Sequence, residues 1–165
     1  MSALPFIILG MMLVIVWYLS FTATRLDRLH HRVETSWANL DAALRTRSAL
    51  ALEVARSNLL DPATSMLILS AAHGTVIANQ SERADAEEEL SRLLLSLLDE
   101  EALDSDGEIF QELSQAREKL RLAIAIHLEA VTRTQSQRAR PIVKIFRLAG
   151  RAPLPVRYPF EEIQV

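Results

Sequence analysis

The first charged residue in the chain is Arg25; before it, Leu4 to Phe21 reads LPFIILGMMLVIVWYLSF, and after it the sequence turns amphipathic with a three- and four-residue repeat. At 1.5 Å per residue the uncharged run covers about 27 Å, close to the thickness of a bilayer's hydrocarbon core. The pattern predicts a transmembrane helix that presents Leu4, Phe6, Ile7, Ile8, Leu9, Met11, Leu13, Val14, Val16, Trp17, Tyr18, Leu19 and Phe21 to lipid. Pro5 falls in the first turn, where its missing N–H costs little, and the rings of Trp17 and Tyr18 fall near the far end, at headgroup depth. A cleaved signal peptide would have a basic start, a shorter apolar core and small residues before the cut. Met1-Ser2-Ala3 carries no base and Thr22-Ala23-Thr24 is a poor cleavage site, so the segment is expected to remain. Arg25, Arg28 and Arg32 follow at once, with His30 and His31 between them, whereas Asp27 and Glu34 weigh little in the positive-inside rule. The expected topology is N-terminus outside, remainder in the cytoplasm.

Past the anchor, Leu26, Leu29, Val33, Trp37, Leu40, Leu44, Ala51 and Val54 fall on one helical face, flanked by Arg45, Arg47, Glu53 and Arg56. No Pro or Gly separates this stripe from the apolar run, which allows one continuous helix. Asp61-Pro62 predicts a turn, with Asp as the cap of the next helix and Pro at its first position. The following stretch is apolar at Met66, Leu67, Leu69, Val76 and Ile77, polar from Asn79 to Glu89, and apolar again at Leu90, Leu93, Leu94, Leu97 and Leu98. Gly74 and Asn79 weaken it, so one long helix and two shorter ones both fit. Ser105 and Glu108 have capping-box spacing ahead of a last helix, whose buried face is Phe110, Leu113, Ala116, Leu120, Ile124, His127 and Val131. Its packing is expected to end near Thr134.

The fold expected is all-α: an N-terminal transmembrane helix followed by an antiparallel bundle of three or four long helices. Composition agrees, with hydrophobic residues at 50% of 165 and only 4 Gly. The expected organisation is an anchor at 1–23, a helical bundle at 24–148 and an extended tail at 149–165 containing Pro153, Pro155 and Pro159. A net charge of -3 argues neither for nucleic acid nor for an acidic substrate. The absence of Cys excludes disulfides, thiolate metal sites and thiol nucleophiles.

Charge matters by location. Arg133, Arg138, Arg140, Lys144, Arg147, Arg151 and Arg157 are uninterrupted by any acid between Glu129 and Glu161. Ile142, Val143, Ile145, Phe146 and Leu148 interleave with Lys144 and Arg147, as in a short interfacial helix drawn to anionic lipid. Arg138, Arg140, Lys144, Phe146, Arg147 and Arg151 are therefore the candidate lipid or partner contacts; a terminal turn packed on the bundle is the plainer alternative.

Other constellations favour structure over chemistry. Asp104-Ser105-Asp106-Gly107 looks like part of a calcium loop, but setting Gly107 at the invariant Gly puts Ala102 and Leu113 at the outer ligand positions, and helix capping fits better. His30 and His31 diverge on a helix, and His73 and His127 lack the two-His spacing of a zinc helix. Glu87, Glu88 and Glu89 are consecutive and do not converge, which reads as a solvated face. Trp37 lies between Val33 and Leu40 on the apolar stripe, which favours packing over partner binding. No phosphate loop, GxSxG element or triad order is present, so no catalytic, cofactor or metal residue is expected.

The segment RLHHRVETSWANLDAALRTR, Arg28 to Arg47, resembles the LemA family of bacterial membrane proteins through Arg32-Val33, Ser36-Trp37, Asn39-Leu40-Asp41 and Leu44-Arg45. AEEELSRLLLSLL from Ala86, IFQELSQAREKLRLA from Ile109, and Pro141 with the final PFEE extend the likeness over nearly the whole chain. It departs from the family at SALALEVARSNLL, which replaces an Ile/Val-Pro-Asn-Leu element, and around Thr132-Arg133, which replaces a Tyr-Asn pair. The resemblance implies a divergent member with a single span, N-terminus outside, a cytoplasmic helical bundle and no catalytic activity. The expected role is a non-enzymatic scaffold or interaction module at the inner face of a bacterial membrane. Its partners would be the bilayer, membrane or cytoplasmic proteins, or its own copies. The alternative is a lipid-contacting or membrane-remodelling protein acting through the basic C-terminal section.

Overall fold

The computed structural model of the chain describes residues 3–79, 81–101, 108–146 and 148, and of 98–101 the backbone alone. Among the described residues the secondary structure is helical throughout: α1 (Leu4–Arg56), α2 (Pro62–Ile77), α3 (Arg83–Glu101), α4 (Glu108–Arg138) and the short α5 (Pro141–Ile145). The all-α expectation holds, and the ambiguous middle stretch forms two helices rather than one. The proposed capping box at Ser105 and the tail from Ala149 lie outside the described residues.

α1 runs for 53 residues without a break, as the lack of Pro and Gly between anchor and stripe allows. It ends five residues before Asp61, at Arg56, where Asn58 adopts φ 56°. Asn tolerates this left-handed conformation better than branched residues do, and it turns the chain out of the helix. Asp61 then caps α2, its Oδ1 accepting from the amides of Ala63 (2.9 Å) and Thr64 (3.1 Å), with Pro62 at the first helical position. Hydrogen bonding from the Thr64 side chain foremost, and from these amides, holds the Asp61 carboxyl below its ordinary range. Gly74 stays inside α2. The break comes at Asn79, whose Oδ1 accepts from the Ser81 and Glu82 amides (3.1 and 3.2 Å) and so satisfies the donors that open α3.

The chain divides into two compact units, one holding 3–35 and 128–146 with 148, the other 36–127. In the first, α4 lies against α1 where the Thr134 hydroxyl is 3.4 Å from the Leu29 carbonyl. Thr134 is six residues into the returning segment and Leu29 six residues before the outgoing one ends, the pairing of helices that run in opposite directions. Leu26, Ala130, Val131, Thr134 and Val143 are buried here.

In the second unit the core draws on four helices: Ala51 and Val54 from α1, Ile68, Ala71 and Ala72 from α2, Leu90, Leu94 and Leu97 from α3, Phe110 and Leu113 from α4. The stripes read from the sequence in α1 and α4 are the buried faces, except that Leu29, Val33 and Trp37 are half-buried. Leu113, which a calcium loop would need as a ligand, is 1% exposed in this core. α2 behaves differently. It contains no charged residue, and its small Ala71 and Ala72 face inward while Met66, Leu67, Val76 and Ile77 stay exposed.

Candidate functional site

Two surfaces were expected to carry function, and both belong to the first unit. The run Leu4 to Phe21 begins α1, and Leu4, Phe6, Ile7, Ile8, Leu9, Met11, Leu13, Val14, Val16, Trp17, Tyr18 and Phe21 are all exposed; Leu19 alone among the named span residues is half-buried. The apolar stripe of α4, by contrast, is buried. Exposed side chains of this size over five turns of helix are what a hydrocarbon solvent accepts and water opposes. At the C-terminal end of the run the rings of Trp17 and Phe21 stack at 6.0 Å, and the Thr22 and Thr24 hydroxyls donate to the Tyr18 and Ser20 carbonyls (2.8 and 3.0 Å). The polar groups nearest the run are thus satisfied within their own helix.

The basic section begins on α4 and continues through α5. Val143 is buried, whereas Lys144, Ile145 (74% exposed) and Phe146 (50% exposed) project outward, and Arg140 at the α5 cap is exposed. Arg138 is half-buried and engaged, so it is not a freely available contact. Arg133 is ion-paired with Glu129. Arg147 and Arg151 lie outside the described residues. In this turn of helix Val143 packs and Ile142 is half-buried, while Lys144, Ile145 and Phe146 face out.

The second unit holds an arrangement that the sequence reading missed. Arg47, expected at the flank of the stripe, is 3% exposed, and Glu87, expected on a solvated face, is 2% exposed. Arg47 Nη2 bonds Glu87 Oε2 at 2.5 Å and Nη1 bonds Ser91 Oγ at 2.6 Å. Burial lowers the Arg47 pKa and raises that of Glu87, while the attraction between them opposes both shifts. The physical reason for both corrections is register. Arg47 occupies the slot between Leu44 and Ala51, and Glu87 the slot before Leu90 and Leu94, so each helix carries its charge into the core and the two neutralise each other there. Glu88 is half-buried and Glu89 exposed, as expected for that face.

Beside this pair, Asp41 is held by two guanidiniums, with Arg45 Nε on Oδ2 at 2.9 Å and Arg83 Nη2 on Oδ1. Arg83 Nε also stands 3.9 Å from Glu87 Oε1. Ser48 and Thr75 share a buried hydroxyl contact at 2.9 Å. The Ser36 hydroxyl meets Nδ1 of the buried His127 at 3.0 Å, and the Trp37 ring lies 5.4 Å from the imidazole. Burial lowers the His127 pKa. His73 is exposed, and no three metal-ligating side chains cluster among the described residues.

Residues of the segment from Arg28 to Arg47 fall on these contacts. Leu40 and Leu44 are core, Ser36 and Trp37 meet His127, and Asp41 gathers Arg45 and Arg83. No family model matches the chain, and no curated protein or solved structure matches it.

Proposed function

We propose that the chain is a single-pass, non-enzymatic membrane protein of LemA-like type, whose helical bundle is a scaffold at the inner face of a bacterial membrane. The observation that carries this reading is the exposed apolar opening of α1, which continues without a break into a helix with a buried stripe. Arg25, Arg28 and Arg32 directly after the apolar run favour a cytoplasmic bundle. The LemA likeness rests on Arg32-Val33, Ser36-Trp37, Asn39-Leu40-Asp41 and Leu44-Arg45. Scaffolding is favoured over catalysis by the sequence, which carries no phosphate loop, GxSxG element or triad order.

Three measurements test it together. The protein should stay in the membrane pellet after alkaline extraction, with an N-terminus upstream of Phe21. A reporter that is active only in the cytoplasm, fused after Val165, should be active. Crosslinking in cells should recover reproducible partners or self-adducts. Mature protein beginning beyond Phe21 would make the segment a leader and end the anchor reading; a reporter active only outside would reverse the topology.

One observation favours a second reading, contact with lipid through the basic section. Arg140, Lys144, Ile145 and Phe146 are exposed together and belong to the same compact unit as the apolar run. Because the native chain has no Cys, Phe146→Cys gives a single labelling site. An environment-sensitive fluorophore there should shift to shorter wavelength in nanodiscs with anionic lipid and not in zwitterionic ones. An identical spectrum in both lipids removes the second reading and leaves the first.

A further inference from the structure

The second unit has a cavity of about 420 Å³ beside the Asp41 cluster, a volume within the range that small-molecule sites occupy. Its walls differ in chemistry. Arg45 and Arg83 form one side, Leu52 and Val76 with the neighbouring Ala49 and Ala78 form an apolar side, and the Ser48–Thr75 pair and Glu87 complete the lining.

The charges around it do not cancel. Arg45, Arg47 and Arg83 are joined through Asp41 and Glu87, three guanidiniums against two carboxylates. Arg47 is enclosed with Glu87, so the surplus positive charge falls to Arg45 and Arg83, the two that line the cavity. Each guanidinium has five N–H donors. Arg45 uses Nε on Asp41, and its two terminal nitrogens bond no described residue. Arg83 bonds Asp41 through Nη2 and turns its buried Nε toward Glu87 at 3.9 Å, which leaves Nη1 bonded to no described residue. The hydroxyls are already satisfied: Thr75 donates to the Ala72 carbonyl at 2.8 Å, which leaves Ser48 as donor to Thr75. A ligand's polar end therefore belongs at the arginines and its apolar end against Leu52 and Val76.

We infer that this cavity is a binding site for a short-chain monocarboxylate, its carboxylate taken by Arg45 and Arg83 and its hydrocarbon laid on Leu52 and Val76. Planar guanidinium forks match the carboxylate, and the apolar wall disfavours a fully hydrated inorganic anion. The site owes nothing to the membrane reading, since every residue in it belongs to the second unit.

The test is calorimetric titration of the full-length protein in nanodiscs with sodium butyrate, against sodium chloride and inorganic phosphate at matched ionic strength. Saturable butyrate binding with Kd on the order of 1 mM is expected, accompanied at twenty times Kd by a rise in Tm of about 4–7 °C. Arg45→Gln, at an exposed side chain, should weaken butyrate binding at least tenfold. Val76→Asp, which places a like charge on the apolar wall at another exposed position, should abolish it. Arg92→Gln, at an exposed arginine of α3 outside the cavity, should leave it unchanged. The inference is overturned if butyrate gives no saturable heat, if chloride or phosphate binds as tightly, or if the Arg45→Gln protein keeps wild-type affinity.

Discussion

Replacing Glu87 by Gln preserves the shape of the side chain and removes its charge, leaving Arg47 enclosed without a counter-ion. Arg47 is 3% exposed, so its charge stays enclosed when Glu87 is neutralised. Burial already lowers its pKa, yet a guanidinium does not give up its proton near neutrality, so the cost falls on stability. Removing one partner of a buried pair typically costs about 3–5 kcal/mol, which for a chain of this length lowers Tm by roughly 6–20 °C. The reciprocal variant, Arg47→Met, behaves differently with pH because Glu87 is able to protonate. Its carboxyl is raised above the ordinary 4.5 by burial, and losing Arg47 removes what opposed that rise. A group with a raised folded pKa contributes most below its unfolded value, and the contribution is lost as pH rises through the folded one. Arg47→Met should therefore be nearest wild type at about pH 4 and fall away toward neutrality, whereas Glu87→Gln should be impaired at both. The double variant Arg47→Met/Glu87→Leu should recover most of the loss, since an apolar pair of similar volume replaces an ion pair with little net cost. Thermal melts of the full-length protein in micelles, followed by helical circular dichroism at pH 4 and pH 7, separate these cases. A Glu87→Gln protein melting within 2 °C of wild type, or a double variant as unstable as the single, would refute the view that the pair is a closed, mutually neutralising unit.

Gly74 lies within α2, and a Cβ there would meet nothing within 4 Å, so Gly74→Ala should stabilise the protein by about 0.5–1 kcal/mol, read as a raised Tm. Leu40→Ala, at a fully buried position, should cost about 2–5 kcal/mol, while Met66→Ser, at 73% exposure, should change the melt by less than roughly 0.5 kcal/mol. Asn79→Ala should cost about 1 kcal/mol through loss of the acceptor for the Ser81 and Glu82 amides. Burial lowers the His127 pKa below 6.5, so its contribution to stability is present above pH 6.5 and lost as pH falls through the lowered value; His127→Gln should flatten that acid limb of the Tm profile.

Much of the architecture was legible because α1 and α4 alternate apolar and polar residues with helical spacing. Leu40, Leu44, Leu113 and Leu120 could be assigned to the interior from spacing alone, and all four are buried. Arg47 and Glu87 were misassigned by residue type although spacing pointed the other way, since both fall in apolar slots of their helices. A charge in such a slot signals a buried partner on another helix, and here each was the other's. α2 was illegible for the opposite reason. With no charged residue along Pro62–Ile77, the sequence offers no contrast between faces, and large side chains fall on both, Ile68 buried and Met66 and Ile77 exposed. The end of α1 was hidden in Ser57-Asn58, where a left-handed Asn replaces the Gly that would have marked the stop. The cavity beside Asp41 depends on residues from three helices, a convergence that no single segment reveals.

A helix with no hinge between Phe21 and Leu26 leaves the apolar opening of α1 no freedom to swivel. Each residue advances the helix by about 100°, so the azimuth at which Leu26 meets its neighbours dictates which flank of the preceding turns looks toward α4 and which looks away. One residue added at Thr22 would spin the opening turns by about 100° against Leu26 and its packing, whereas seven added there, close to two full turns, would nearly restore the original bearing. Sensitivity to the number of inserted residues, rather than to their chemistry, is the behaviour of a rigid shaft, and a flexible tether would be indifferent to it.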